Sequence, residues 1–524
     1  MTRSSHPAEN FPAPDAVDDG APLARIVRNS AFNVLGTALI VPVNFVALFV
    51  LARRLGTQPF GTFFTIFAIS AVIHWIADAG TTTVLTRRVS RYPERLKSIV
   101  SEAAGVLLVV CTISATLFFL VATPWMALRN ERISLSVLVV VAAAMASRHA
   151  LDFAANVLRG LERFEFENLS RVVQTVSFLL FVWFWVYPET GGALAGFIAY
   201  AASNIIAAAL LWIVLLAKWR CAGFRLDREM LRDWWTESIP LGFGDVIRQF
   251  HMQIDTLVLA WFQPQRIVGL FSMAARPRMP LETLPRIIVS VMFPTMTRTA
   301  HTNRAAFSQM FARTTSLLWS AALPISIIVS FYAAPLIEAA AGPAFRDAAW
   351  PLRLLIWASA LIFVNAQFRL VLTALDAERS YWRLIGWVLA VKVVLLIVMI
   401  PVWGIYGACF GNLFGEAILC FGGLRVLRGM GVRGPSFTEL LRVVPASLAM
   451  SLVLLPFANQ DAKLMPMAIA ALGSGLVYVA VCLATGVWPW SDVMRVWQAV
   501  RRPLSRASLD PVIGTAGETD VVPG

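Results

Sequence analysis

The stretch YWRLIGWVLAVKVVLLIVMI, residues 381–400, decides the class of this protein. About 20 mainly apolar residues carry an α-helix across roughly 30 Å of hydrocarbon, and such runs recur along the whole chain. Hydrophobic residues make up 58% of the 524 residues and charged residues only 14%, whereas a soluble domain has roughly 25% charged residues. Because so few charges cannot cover a water-exposed surface, the sequence predicts an all-α integral membrane protein.

Recurring apolar runs predict about 14 transmembrane helices. The first six lie near residues 29–51, 60–82, 98–124, 134–157, 168–187 and 191–217. The next six lie near 237–262, 266–295, 309–335, 350–374, 381–400 and 402–426, and two more near 440–458 and 464–487. We therefore expect a disordered tail at 1–27, a first lobe at 28–217, a connector at 218–235, a second lobe at 236–427, two further helices within 436–487 and a tail at 488–524.

The distribution of positive charge orients this arrangement. The net charge is +13, and Lys and Arg concentrate in the loops that are cytoplasmic if the N-terminus is inside, as the positive-inside rule requires. Arg53 and Arg54, which fall outside, are the clearest exception. This pattern predicts a multi-pass protein with both termini in the cytoplasm, and it makes nucleic acid an unlikely partner.

An internal repeat relates the two lobes at an offset of 208 residues. The matching positions are Ser30 with Ser238, Gly36 with Gly244, and Gly61-x-Phe63 with Gly269-x-Phe271. A second match, at an offset of 214, pairs Val157-Leu158 with Val371-Leu372 and places Glu162 opposite Asp376. Since the offset covers six predicted helices, the two repeats are parallel, an architecture in which transporters bind substrate between the lobes.

Charged residues inside predicted spans are costly and usually face a cavity or a partner. The eighth span is the densest: Arg278, Glu282 and Arg286 lie four residues apart and share one helical face, next to Arg276 and to prolines that should kink the helix. Two interpretations remain open. These charges form either an internal ion-pair ladder to a neighbouring helix or part of a cationic cavity.

Further candidates come from other spans. Arg148 can pair with Asp152 on its own helix, and Arg248 shares a face with Asp255, whereas Lys392 has no acidic residue within a turn and is either a cavity residue or a partner of Glu416. The predicted substrate-binding cations are Arg276, Arg278, Arg286, Arg248, Lys392 and Arg148. The predicted coupling or ion-pair residues are Asp255, Asp78, Glu282 and Glu416.

Several kinds of site are not indicated. We find no Walker, HExxH, GxSxG or GxGxxG motif, so the sequence predicts no enzyme and no cofactor. The five cysteines form no CxxC pair and are odd in number, which indicates neither a disulfide framework nor a metal site.

The run LARRLGTQPFGTF at 51–63, followed by Asp78-Ala-Gly80 and Arg87-Arg88, resembles the N-terminal signature of bacterial polysaccharide (O-antigen or exopolysaccharide type) flippases. Asp255, the run VGLFSMAAR at 268–276, Phe293-Pro294 and Arg298 continue the resemblance. These flippases belong to the multidrug/oligosaccharidyl-lipid/polysaccharide exporter superfamily.

The resemblance implies two six-helix lobes in a V shape around a central cavity, with two further C-terminal helices, in a bacterial cytoplasmic (inner) membrane. It implies transport of a polyprenyl-pyrophosphate-linked glycan to the outer leaflet for surface polysaccharide such as lipopolysaccharide, beside polymerase or export proteins. Ala274-Ala275-Arg276 is similar to an Ala-x-Arg of lipid II flippases in which the arginine serves the substrate site. The first span lacks the charges of those flippases, which favours a glycan other than a peptidoglycan precursor.

Three alternatives to the flippase remain. A drug or cation antiporter of the same superfamily would favour acidic residues in the cavity, whereas basic residues predominate here. A membrane glycosyltransferase or polymerase would need a large outer loop, which the spans leave no room for. A scaffold of a polysaccharide synthase complex would tolerate loss of the intramembrane charges.

Overall fold

The computed structural model of the protein describes residues 22–129, 134–187, 191–281, 283–457, 464–488, 490 and 494. Side chains are described within these ranges except at 22–35, 37–39, 279–280, 283, 286–287, 290–291, 294 and 464. Throughout the described ranges the regular elements are helices, which is the only open-chain structure that satisfies backbone hydrogen bonds inside a bilayer. The predicted all-α class is confirmed.

Two compact units make up the chain, Met1–Pro435 and Ser436–Gly524. The first half of the first unit contains α1 Pro22–Leu55, α2 Thr57–Asp78, α3 Thr81–Arg91, α4 Leu96–Leu128, α5 Leu135–Gly160, α6 Phe164–Trp185 and α7 Ala193–Trp219. Its second half contains α8 Arg228–Phe262, α9 Gln265–Ala275, α10 Arg278–Leu281, α11 Thr283–Thr302, α12 Arg304–Phe331, α13 Ala333–Ala341, α14 Ala349–Asn365, α15 Phe368–Ala374, α16 Glu378–Trp403 and α17 Ile405–Gly429. The second unit contains α18 Phe437–Leu441, α19 Val444–Leu454 and α20 Leu464–Ala484.

Ten helical segments of the described residues are long and apolar enough to cross a membrane. The predicted spans that fall on α1, α6, α8 and α9–α11 are not among these ten. The number of about 14 is therefore not confirmed. The predicted eighth span also differs from expectation, because three helices replace one kinked helix. Proline lacks the amide hydrogen that a continuing helix needs, and the interruption after α9 contains Pro277.

Matching turns confirm the parallel repeat. After α5, the amide of Arg163 donates to the carbonyl of Leu158 at 2.9 Å, and after α15 the amide of Ala377 donates to Leu372 at 2.8 Å. Glu162 and Asp376, which the sequence placed opposite each other, are both left-handed, with φ of 59° and 55°. The two chain segments thus make the same helix-ending turn 214 residues apart.

The repeated glycines bring the halves into contact. A Cβ added at Gly61 of α2 would lie 1.8 Å from the carbonyl oxygen of Gln265, and one added at Gly269 of α9 would lie 2.0 Å from that of Thr57. The absence of both side chains lets these helices cross backbone to backbone. We call this side of the first unit, where Gly56 joins α1 to α2, the Gly56 end.

At the opposite end of α2, which we call the Gly80 end, the halves also touch. A Cβ at Gly80 would lie 2.6 Å from the amide nitrogen of Gly242 in α8. Nearby, Arg88 of α3 donates to Glu237 of α8 at 2.9 Å and lies over the ring of Trp234 at 4.5 Å. The halves are therefore in contact at both ends of α2.

Candidate functional site

A cavity of about 220 Å³ lies between the two ends. Its walls come from α2, α5 and α7 of the first half and from Gln249 of α8 in the second half. The described lining is Phe67, Ser70, Ala71, His74, Trp75, Val141, Ala144, Met145, Arg148, Asp152, Phe197, Tyr200 and Gln249. Aromatic surfaces and a few convergent polar groups are the usual make-up of a ligand site.

Arg148 is the predicted cation that this cavity contains. It pairs with Asp152 one turn away on α5, Nε to Oδ2, at 2.9 Å. The Arg148 side chain is still 40% exposed. The charges in the described lining, Arg148 and Asp152, balance each other, so the strongly cationic cavity that the sequence predicted is not what these walls present.

His74 and His149 extend this cluster, although no motif or helical spacing in the sequence singles out His74. His74 Nε2 lies 3.3 Å from the same Oδ2 of Asp152 that Arg148 binds. The two imidazoles stack with centroids 3.9 Å apart and planes inclined by 12°, and His149 Nε2 contacts Ser114 Oγ at 3.2 Å. Helical spacing explains the pairs within α5, whereas the contact between α2 and α5 requires tertiary structure.

Arg276 lies behind the cavity wall. Its guanidinium carbon is 3.9 Å from the centre of the Phe64 ring, and that ring contacts Phe67 of the cavity lining at 6.1 Å. The described lining does not include Arg276 itself. Arg276, the predicted principal cation, is thus separated from the cavity by the rings of Phe64 and Phe67, and it lies where α9 contacts α2.

Lys392 is buried in a network of the second half. Its Nζ lies 2.8 Å from Asp255 Oδ2 and the side chain is only 1% exposed. Asn412 of α17 donates to the same oxygen at 2.6 Å, and Arg278 donates to Asn412 Oδ1 at 2.9 Å. Lys392 therefore pairs with Asp255 rather than with Glu416, and it does not line the described cavity.

Glu416 belongs to the same network through other partners. It lies 3.4 Å from His251 Nε2 and accepts a hydrogen bond from Asn365 at 2.8 Å. Lys392 also donates to the backbone carbonyl of His251 at 3.4 Å. Arg278, Asp255, Lys392 and Glu416 are thus brought together by α8, α10, α14, α16 and α17, although they lie up to 161 residues apart in sequence.

Two other predicted residues have local partners. Arg248 pairs with Asp245 at 3.2 Å rather than with Asp255, and its guanidinium lies 5.5 Å from the ring of Trp75 in the cavity lining. Asp78 is buried at the end of α2 and accepts hydrogen bonds from Thr81 and Thr82 at 2.8 and 3.0 Å. These contacts stabilise the start of α3, where amides lack helical partners. Glu282 and the side chain of Arg286 lie outside the described residues.

Arginines also connect the halves at the Gly56 end. Arg53, at the end of α1, donates to the carbonyls of Ala339 and Ala340 at the end of α13. Arg129, after α4, donates to the carbonyls of Trp261 and Gln263 at the end of α8. Helix C-termini have unpaired carbonyls and a partial negative charge, so both cations have favourable partners in the other half. Arg53 is one of the two exceptions to the positive-inside pattern.

Comparison with known proteins gives a family match and solved structures with a similar fold. The family model described as "Polysaccharide biosynthesis protein" matches residues 26–300. Among curated proteins none matches the chain. The solved structure of lipid II flippase MurJ in an inward closed conformation is similar with a TM-score of 0.71 at 12% identity, covering 90% of this chain and 100% of that one. An inward-facing multidrug resistance MATE family transporter of the MOP superfamily has a TM-score of 0.58 at 14% identity, covering 74% and 94%. At these identities the likeness is one of fold.

Proposed function

The chain belongs to the family of polysaccharide biosynthesis proteins, and we propose that it flips a polyprenyl-pyrophosphate-linked oligosaccharide across the bacterial inner membrane, from the cytoplasmic to the outer leaflet. The fold it shares with a lipid II flippase is consistent with this activity. The product would supply surface polysaccharide synthesis, with polymerase or export proteins as partners. Both termini would lie in the cytoplasm, and no bond of the substrate would be made or broken.

One observation supports the proposal most strongly: an arginine lines a cavity that also presents the aromatic rings of Phe67, Trp75, Phe197 and Tyr200. Arg148 remains 40% exposed in its ion pair, and guanidinium groups bind phosphate oxygens with paired, charge-assisted hydrogen bonds. Trp75 and Tyr200 in the same lining offer flat surfaces with polar edges, which suit sugar rings. The cavity is small for a whole oligosaccharide, so the substrate would enter after the halves separate.

The proposed cycle uses the contacts at the two ends. Opening the Gly80 end, which charge assigns to the cytoplasm, would admit the substrate, and opening the Gly56 end would release it. Arg248, beside Trp75, and Arg276, behind Phe64, would add positive potential to the enlarged cavity. Asp255 and Glu416, with Lys392 and Arg278, would hold the second half rigid or exchange partners as it moves.

A drug or cation antiporter of the same fold is the second candidate. The MATE likeness is one of fold and gives this candidate no separate support. A cation would need an acidic group without a competing partner, but the acid of the described lining, Asp152, is held by Arg148 and His74. A scaffold role would leave function insensitive to changes at these charges.

The test is made in the host that carries the gene. We would delete the gene in a background that tolerates blocked export and extract polyprenyl-linked glycans. We expect a complete repeat unit to accumulate while surface polysaccharide falls. We also expect Arg276→Ala to lower surface polysaccharide although the protein reaches the membrane, because Arg276 would add positive potential to the enlarged cavity. Unchanged lipid-linked glycan together with altered sensitivity to cationic drugs would favour the antiporter. Normal surface glycan in Arg276→Ala would remove that residue from the site.

A further inference from the structure

The charge balance of the central cavity depends on a residue that neither the motifs nor the helical spacing single out. His74 is the one imidazole in the described lining, and its side chain is 14% exposed. Imidazole is the side chain whose charge changes near neutral pH. With His74 neutral, Arg148 and Asp152 cancel each other. With His74 protonated, the same three groups carry one net positive charge.

His74 and Arg148 both contact one oxygen atom of Asp152. Arg148 Nε lies 2.9 Å and His74 Nε2 lies 3.3 Å from Asp152 Oδ2. A carboxylate oxygen only accepts hydrogen bonds, so Nε2 carries the proton in neutral His74. A second proton, on Nδ1, would strengthen the attraction between His74 and Asp152.

His149 limits the number of protons that the two stacked imidazoles can bind, and it determines which ring would bind one. The two rings lie face to face at 3.9 Å, and two imidazolium ions at that distance repel each other strongly in a poorly solvated site. The pair therefore holds at most one extra proton. His149 is fully buried and tied to Ser114 of α4, so the more exposed His74 is where that proton would reside.

The charged or polar groups near His74 come from α2, α5, α7 and α8. From α5 it meets Asp152, Arg148 and His149, and α7 contributes the phenol of Tyr200. From α8, Arg248 is already paired with Asp245. Arg276 of α9 lies beyond the Phe64 ring. Within the described residues, Asp152 is the acid in contact with His74. Asp78, four residues along α2, also interacts electrostatically with this imidazole, but its carboxyl accepts its hydrogen bonds from Thr81 and Thr82.

We infer that His74 is a positioning residue of the anion site, and that its protonation gives the His74–Asp152–Arg148 cluster the net positive charge that attracts a diphosphate-like dianion. The inference rests on the proposed function, because it gives the cavity an anionic ligand. Binding of the anion and uptake of a proton by His74 are then linked: each favours the other. Acidic conditions should tighten binding, and loss of the proton should assist release.

The test uses methanedisulfonate, a small dianion shaped like pyrophosphate whose own charge is constant between pH 5 and 8. Binding to the purified full-length protein is measured by calorimetry across that range, with sulfate as a second probe. We expect the wild type to bind at least tenfold more tightly at pH 5.5 than at pH 8. His74→Gln keeps an N–H donor for Asp152 but cannot charge, so its affinity should not change with pH.

Two further variants complete the design. His301→Gln removes an imidazole from an exposed contact with Asp376 and should keep the wild-type pH profile, which makes it the matched control. Arg148→Gln should abolish binding at every pH. Wild-type binding that needs Arg148 but is independent of pH would overturn the role of His74 and leave the proposed function standing. Binding that is equally tight in Arg148→Gln would overturn the anion site itself.

Discussion

Replacing Lys392 by methionine tests the buried network of the second half. Methionine has similar length but no charge, so the change leaves Asp255 with Asn412 as its remaining partner, at 2.6 Å. Asp255 is 6% exposed and Lys392 1%, so water cannot replace the lost ammonium group. Removing one member of a buried ion pair typically costs about 3–5 kcal/mol. At about 1.4 kcal/mol for each tenfold change, this corresponds to at least a roughly 100-fold shift in the unfolding equilibrium.

The double variant Lys392→Met with Asp255→Asn removes both charges. It therefore separates the energy of the ion pair from the cost of leaving one buried charge without its partner. Because no buried charge is left alone, we expect it to recover at least half of the loss. Stability would be measured by denaturing detergent titration of the purified protein, followed by tryptophan fluorescence. Lys218→Met is the control, since Lys218 is exposed and contacts only the Phe166 ring at 4.6 Å among its charged or aromatic neighbours in the described structure.

The reasoning fails in either of two ways. If Lys392→Met is no less stable than Lys218→Met, the ion pair does not exist in the folded protein or is open to water. If the stability lost in the double variant equals the sum of the losses measured separately for Lys392→Met and Asp255→Asn, Lys392 and Asp255 are not coupled.

Other expectations follow from the cavity and from the two ends. Arg148→Gln should reduce export of the glycan at least tenfold while the protein still reaches the membrane, measured as surface polysaccharide per transporter; unchanged export would remove Arg148 from the site. Gly61→Ala should force the facing carbonyl back by about 1.7 Å, since packed atoms approach to roughly 3.5 Å and the added Cβ lies 1.8 Å away. Spin-label distances across the Gly56 end should therefore lengthen, while Gly386→Ala, which meets nothing within 4 Å, should leave them unchanged. Arg53→Ala with Arg129→Ala should lengthen the same distances, and an unchanged distribution would show that the carbonyl contacts do not hold the halves together.

The fold was largely predictable because it rests on local patterns. Apolar runs of span length and parallel repeats need only the chain itself, and the opposed Glu162 and Asp376 indeed adopt the same left-handed turn. The span number was less predictable, because α8 combines membrane length with many charges. Its sequence includes Asp245, Arg248 and Asp255, so the span predicted at 237–262 is not among the ten segments that length and composition select.

The site was only partly predictable, because ion pairs between helices leave no trace in helical spacing. Arg148 and Asp152 were found from their i,i+4 spacing on one helix. Lys392 and Asp255 are 137 residues apart, and each has several chemically equivalent partners in the sequence. His74 was missed for the same reason: its significance comes from a stacked ring on another helix.

The most direct test of the account is a flipping assay in proteoliposomes. A polyprenyl-pyrophosphate-linked oligosaccharide from the host is placed in vesicles with the purified protein, and the glycan exposed outside is followed with an impermeant glycosidase. The account predicts that wild type makes the whole pool accessible over time, whereas Arg148→Gln vesicles stay near the half exposed at the start. Protein-free vesicles should match that variant. Equal exposure of the glycan in wild-type and protein-free vesicles would contradict the proposal that this protein moves lipid-linked glycan across the membrane.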